Sequence, residues 1–254
     1  MGLRHDLRGA VYVEFLLVFM PVFLLFLAIV ELGFVYAARL VVQHASTRAV
    51  RAAVVVLDDD PALYGGAPRG RVDLGGSAPQ PSPLDAFMTG AGLGNGGTDA
   101  AGGARFRDIR TAASIPLLAV APTATALEGG EDNVAVAIGD GDERAIEGAQ
   151  RYNRLALAVT FPPAPGSSST RTQFGADELV TVRVTYLFRC SVPLVSRIMC
   201  DGPTGVAAKL TASELGQIAP LALPGADGAR YLILRGEASL RNQGAGYLYA
   251  GQTP

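Results

Sequence analysis

Tryptophan is absent from this chain of 254 residues, and Lys209 is the only lysine. The remaining basic charge is arginine, a bias of genome base composition that carries no functional information. Formal net charge is −2, so the chain lacks the electrostatic footprint of a nucleic-acid binder. The only histidines are His5 and His44, and the only cysteines are Cys190 and Cys200. A metal centre needs more ligands than such a set brings together in sequence. No Gly-x-Ser-x-Gly, phosphate-loop or zinc motif occurs. Ser167 to Thr170 has no histidine base near it in sequence. The acidic turn Gly139-Asp-Gly-Asp-Glu lacks a glutamate at the closing position of a calcium loop starting at Asp140. These absences argue against an enzyme and give no sign of a metal or cofactor.

What the chain has is one long apolar run. Phe15 to Val30 contains no polar side chain, and Ala10 to Ala38 contains only two charges, Glu14 and Glu31. A bilayer core of roughly 30 Å needs about 20 apolar helical residues, so this segment can span a membrane. Arg4 and Arg8 precede it, and the bias of basic residues toward the cytoplasm places the N-terminus inside and the rest outside. Arg39, Arg48 and Arg51 on the far side weaken that vote. The run is too long for an ordinary cleaved signal peptide, because the apolar, helix-favouring pattern continues to Leu57. A plain signal anchor fits its length but leaves Glu14 unexplained. A carboxylate in lipid costs on the order of 2.5–3.5 kcal/mol, so Glu14 either sits among headgroups or meets a partner.

The spacing of Gly9, Glu14 and Phe15 before an apolar helix resembles the processing site of type IV prepilins. That resemblance implies cleavage by a prepilin peptidase between Gly9 and Ala10. It also implies that Glu14, the fifth mature residue, pairs with the N-terminal amine of a neighbouring subunit. Opposite charges in a low dielectric attract strongly, and each alone is costly. The stretch Arg8-Gly-Ala-Val-Tyr-Val-Glu-Phe, Pro21, Ile29-Val-Glu-Leu-Gly-Phe and Ala45-Ser-Thr-Arg-Ala-Val-Arg-Ala-Ala is similar to the TadE-like domain of tight-adherence pilus assembly. Gly236-Glu-Ala-Ser-Leu-Arg-Asn-Gln also resembles the family's ending, more weakly. Ala49-Val-Arg departs from the family's usual Glu-Gly-Ala-Arg. Implied partners are other pilins and pseudopilins, the prepilin peptidase, inner-membrane pilus-assembly machinery and the lipid bilayer, without nucleic acid.

Pro21 removes a helical hydrogen bond. It marks either a simple kink or a place where the helix bends as subunits pack. Glu31 and Arg39 lie about 80° apart around a helix. Glu31 therefore either reaches the outer interface or joins Glu14 and Pro21 in subunit packing. A helix ending at Asp58-Asp-Asp-Pro61 would be about 70 Å long at about 1.5 Å per residue. Pro61 blocks its continuation, and the acids oppose its dipole.

The expected organisation is a leader over 1–9, a membrane and extended helix over 10–57, a partly disordered Gly/Pro-rich loop over 58–104, and an α+β extracytoplasmic domain over 105–254. Glu143 to Tyr152 reads as a short helix. Arg154–Phe161 and Leu179–Arg189 alternate and read as strands with one face on a core and one toward water, and Tyr231–Leu240 is a third candidate strand. A small antiparallel sheet packed on the outer half of the long helix gives a pilin-like fold. Outside the cytoplasm Cys190 and Cys200 are expected to be oxidised rather than free thiols. The expected location is the inner membrane, single-pass, with the domain periplasmic or extracellular. A signal-anchored binding or adhesion module, uncleaved, is the competing reading.

Overall fold

The computed structural model describes residues 7–75, 102–122, 143–163, 170–192, 194–223 and 228–244. Residues 1–6 with His5, where the expected leader over 1–9 begins, most of the Gly/Pro-rich stretch, the acidic turn at 139–142 and Ser167–Ser169 lie outside these.

One helix, α1 (Leu7–Asp58), runs unbroken through Pro21. No glycine or proline interrupts Val35–Leu57, and alanine, the best helix former, recurs there. Its distal half buries Ala38, Val42, Ala45, Ala49, Val50, Ala53 and Leu57. These recur at intervals of three and four, the spacing of one helical face.

Two longer helices and a sheet follow among the described residues. Helix α2 spans Ala104–Leu117 and α3 spans Glu143–Ala156. The strands are β1 (Leu157–Thr160), β2 (Leu179–Cys190) and β3 (Arg230–Arg241), in the order β1-β2-β3 and wholly antiparallel. Between β2 and β3 lie three short turns of helix, α4 (Ser196–Met199), α5 (Pro203–Lys209) and α6 (Ala212–Leu215). The α+β expectation is met, with a small antiparallel sheet beside a long N-terminal helix.

Two differences from the sequence reading have clear causes. The segment Arg154–Ala156 is the last turn of α3, not the start of a strand. Arg110 of α2 donates to Arg154 O at 2.6 Å and Leu157 O at 3.0 Å, giving carbonyls at that helix end a partner. Tyr152 then donates to Leu187 O at 2.7 Å and Asn153 accepts from the Tyr186 hydroxyl at 3.1 Å. The second difference is that the sheet is not wet on its whole outer face. Val180, Val182, Val184, Tyr186 and Phe188 are buried as expected, but so are Thr185 and Leu187 on the opposite face. The region after β2 covers that face at its Cys190 end, through Glu214 of α6. Farther along, the same face carries an exposed polar ladder, Thr181 to Ser239 at 2.8 Å and Arg183 paired with Glu237.

The expected loop 58–104 begins as packed structure. Asp60 accepts from Ala62 N at 2.9 Å and opens a short 3-10 turn over Pro61–Tyr64. Val72 is buried, and its amide donates to Thr172 O at 2.8 Å. The C-terminus of α1 is closed by a cation rather than left to its three acids. Arg105 of α2 donates to Val56 O, and to Asp59 O and Ala67 O at 3.2 Å each, with its guanidinium 4.4 Å from the Tyr64 ring centroid. A positive group at a helix C-terminus complements its dipole.

Candidate functional site: the long helix and its junction with the domain

The helix α1 has two halves that differ in surroundings. From Tyr12 to Val30 its side chains are exposed or half-buried within the chain, including Glu14, Phe15 and Pro21. Phe15, Phe19 and Phe23 stack one turn apart, with ring centroids 5.4 and 5.6 Å apart. An apolar surface of this extent exceeds what a soluble monomer exposes and marks a membrane or partner face. This is the one helix among the described residues that is long and apolar enough to cross a membrane. Gly9 and Ala10 fall in its first turns.

The halves meet at Glu31, which is 0% exposed. Its Oε2 accepts from Val192 N at 3.0 Å, and the backbone of Ser191 also faces this buried carboxylate. A carboxylate oxygen of Glu31 lies within 4.8 Å of the sulfurs of Cys190 and Cys200. Those two are joined in a disulfide, with Cα atoms 6.6 Å apart. Cys190 is the last residue of β2 and Cys200 follows α4, so the bond closes the loop 191–199 into a ring. The sequence placed Glu31 at an interface or in subunit packing. Here its side chain is engaged inside the chain, tying the helix to the disulfide loop. Arg39, expected on a similar face, is exposed.

A second junction lies farther along. Gly236 of β3 faces the helix so closely that an added Cβ would stand 2.9 Å from Val42 O and 3.1 Å from the Cα of Gln43. Gln43 Nε2 donates to Glu237 O at 2.8 Å, which fixes the register of β3 on α1. The C-terminal stretch 236–243, noted above as a weaker likeness, therefore begins by packing directly on the helix. Gly236 pairs with Val184, six positions before Cys190 in β2. Strand β2 thus runs back along the helix toward its apolar half, and its Cys190 end is the end nearest that half.

Sequence reasoning passed over Glu214. This buried carboxylate accepts from Thr185 Oγ1 at 2.6 Å, Arg235 Nε at 2.9 Å, Arg235 Nη2 at 3.0 Å and Thr211 N at 2.8 Å. Burial works against its charge, and the bonds from Arg235, Thr185 and Thr211 outweigh it, holding its pKa down to about 2. The signal was present as Thr211-Ala-Ser-Glu214, the spacing of a capping box, which the structure forms. His44 is exposed and accepts from Arg48 Nε at 3.4 Å, one turn away.

Residues 9–51 match the family model of TadE-like proteins. That match spans the apolar half of α1, the Glu31 junction and the alanine-rich face under the sheet. No curated protein sequence and no solved structure matches the chain.

Proposed function

We propose that this chain, TadE-like over residues 9–51, is a minor pseudopilin that acts in assembling a type IV pilus of the tight-adherence kind. Its work is structural: the apolar half of α1 packs with the helices of other pilins, and the outer domain rides on the same helix. No catalytic group is required, and no cofactor. The observation that carries the reading is the division of one 52-residue helix into an exposed apolar half and a half buried under an antiparallel sheet. A helix built this way can slide between lipid and a helical bundle, because the exchange of apolar neighbours costs little.

The proposed orientation puts the N-terminus in the cytoplasm and the domain outside the inner membrane. The oxidised pair Cys190–Cys200 favours that side, because thiols inside the cytoplasm are kept reduced. A prepilin peptidase would cut between Gly9 and Ala10. Intact mass of the membrane-extracted protein tests this: the expected chain begins at Ala10. A chain still beginning at Met1, in cells that process other pilins, leaves the competing reading of an uncleaved signal-anchored adhesion or binding module.

A further inference from the structure

The disulfide ring 190–200 has an inner and an outer side. Val192 and Val195 point inward and are buried. Leu194, Arg197, Ile198 and Met199 point outward; Leu194 is 54% exposed and Ile198 is 78% exposed. Leu194 also holds a φ of 70°, a left-handed conformation that is costly for a branched side chain. In water the loop gains nothing by holding Leu194 outward under strain, with Ile198 exposed beside it.

Its place in the fold supplies the reason. The bond from Val192 N to Glu31 pins the ring to the helix at the point where the apolar half ends. From Ala10 to Val30 the helix rises about 30 Å, the thickness of a bilayer core. A membrane spanned by that segment has its surface at the level of Glu31, and therefore at the level of the ring. Ile29, Leu32 and Tyr36 are exposed on the helix at this level. Tyrosine is enriched at that depth, where its ring is apolar and its hydroxyl wet. The opposite end of the sheet presents the polar ladder of Thr181, Ser239, Arg183 and Glu237 with Leu179 and Leu240 exposed beside it, whereas the outward apolar groups of the ring stand next to the apolar half of the helix.

We propose that the ring 191–199 is a second membrane contact of this protein. Leu194 and Ile198 enter the apolar edge of a phospholipid leaflet beside the helix, and Arg197 lies at the phosphates. The helix alone leaves the domain free to swing about its exit point. A second contact fixes the tilt and rotation of the domain on the membrane before a subunit is taken up. The inference rests on the membrane reading of α1.

The absence of tryptophan makes the test direct, since any introduced indole is the sole one. Three full-length variants are reconstituted in phosphatidylcholine/phosphatidylglycerol vesicles: Leu25→Trp in the apolar half, Ile198→Trp in the ring and Leu179→Trp at the far end of β2. All three positions are more than half exposed within the chain, so the substitutions are tolerated. Lipids brominated near the glycerol end should remove about half of the Ile198→Trp emission, as befits an interfacial ring. Lipids brominated deep in the chains should quench Leu25→Trp. Only aqueous iodide should quench Leu179→Trp. If Ile198→Trp follows Leu179→Trp while Leu25→Trp is quenched by lipid, the second contact is wrong and the membrane helix stands. If Leu25→Trp also escapes lipid quenching, the membrane reading itself fails. Quenching of Ile198→Trp by lipid only after partner pilins are added would overturn the proposal in favour of a subunit face. The unmodified protein gives an independent readout. Trypsin should cut after Arg197 in detergent and far more slowly in vesicles with the domain outward. Equal rates would overturn the contact.

Discussion

Two residues of the domain carry consequences that single substitutions can read. Glu214 is held as a carboxylate by Arg235, Thr185 and Thr211, with its pKa pulled from the ordinary 4.5 to about 2. A lowered folded-state pKa adds stability that is complete above the unfolded value and is lost as pH falls toward the folded one. The window is therefore about pH 4.5 down to about pH 2, and the contribution is about 3 kcal/mol. Denaturant unfolding across that window should show the loss in the native chain. Glu214→Gln should start lower and flatten this part of the profile; an unchanged acid slope would remove the assignment. Gly236 sits against backbone atoms of Val42 and Gln43, which cannot move aside as a side chain tip would. Gly236→Val should destabilise by about 1–3 kcal/mol, the range for overpacking, and lower the melting temperature in detergent. A melting temperature equal to the native one would mean that β3 does not lie against α1 as described.

At the scale of elements, what was legible in the sequence followed periodicity. Helix α1 announced itself by length and by the absence of glycine and proline across Val35–Leu57. Strand β2 announced itself by alternation and begins at Leu179 as read, and β3 lies where Tyr231–Leu240 was read as a third strand. The first strand was started three residues early because Leu155, Leu157 and Val159 alternate whether or not a helix ends among them. The partners that decide, Arg110 capping and Tyr152 reaching Leu187, come from other elements. The buried second face was illegible for the same reason: Thr185 looks polar-outward until Glu214 is laid over it. The role of Glu31 was hidden too, since its partner Val192 is 161 positions away. The disulfide is the element-scale device that keeps this partner in place. Reduction, or Cys190→Ser with Cys200→Ser, should cost about 2–3 kcal/mol for a ring of this size, read as a lower melting temperature. Thiol reagents should label the native protein only after reduction; ready labelling beforehand would sink the bond.

At the scale of the whole molecule, the helix serves two environments and the design question is what holds each half. The outer half is held by its own domain, through Gln43–Glu237, the Gly236 contact, the Glu31–Val192 bond and the Arg105 cap at its end. Among the described residues the apolar half has no such hold. Glu14 is exposed there, one residue before the Phe15–Phe19–Phe23 stack. A carboxylate near the start of a membrane helix is stable if it stays among headgroups or if a neighbour brings a positive group. The two cases separate on substitution. If Glu14 meets the terminal amine of a neighbouring subunit, Glu14→Ala strands that amine in a low dielectric. Breaking a fully buried pair costs about 3–5 kcal/mol, enough to cut partner recovery by a factor of roughly a hundred or more. Because the fold of the domain does not involve Glu14, the variant should insert and form its disulfide as the native chain does, and under the proposed processing it should also be cut after Gly9. Recovery of partner pilins with the native chain and with Glu14→Ala, at matched expression, is the measurement. Loss of partners with normal insertion assigns the pairing to Glu14. Equal recovery, with normal surface pili, leaves Glu14 among the headgroups and the chain a plain membrane anchor for its domain.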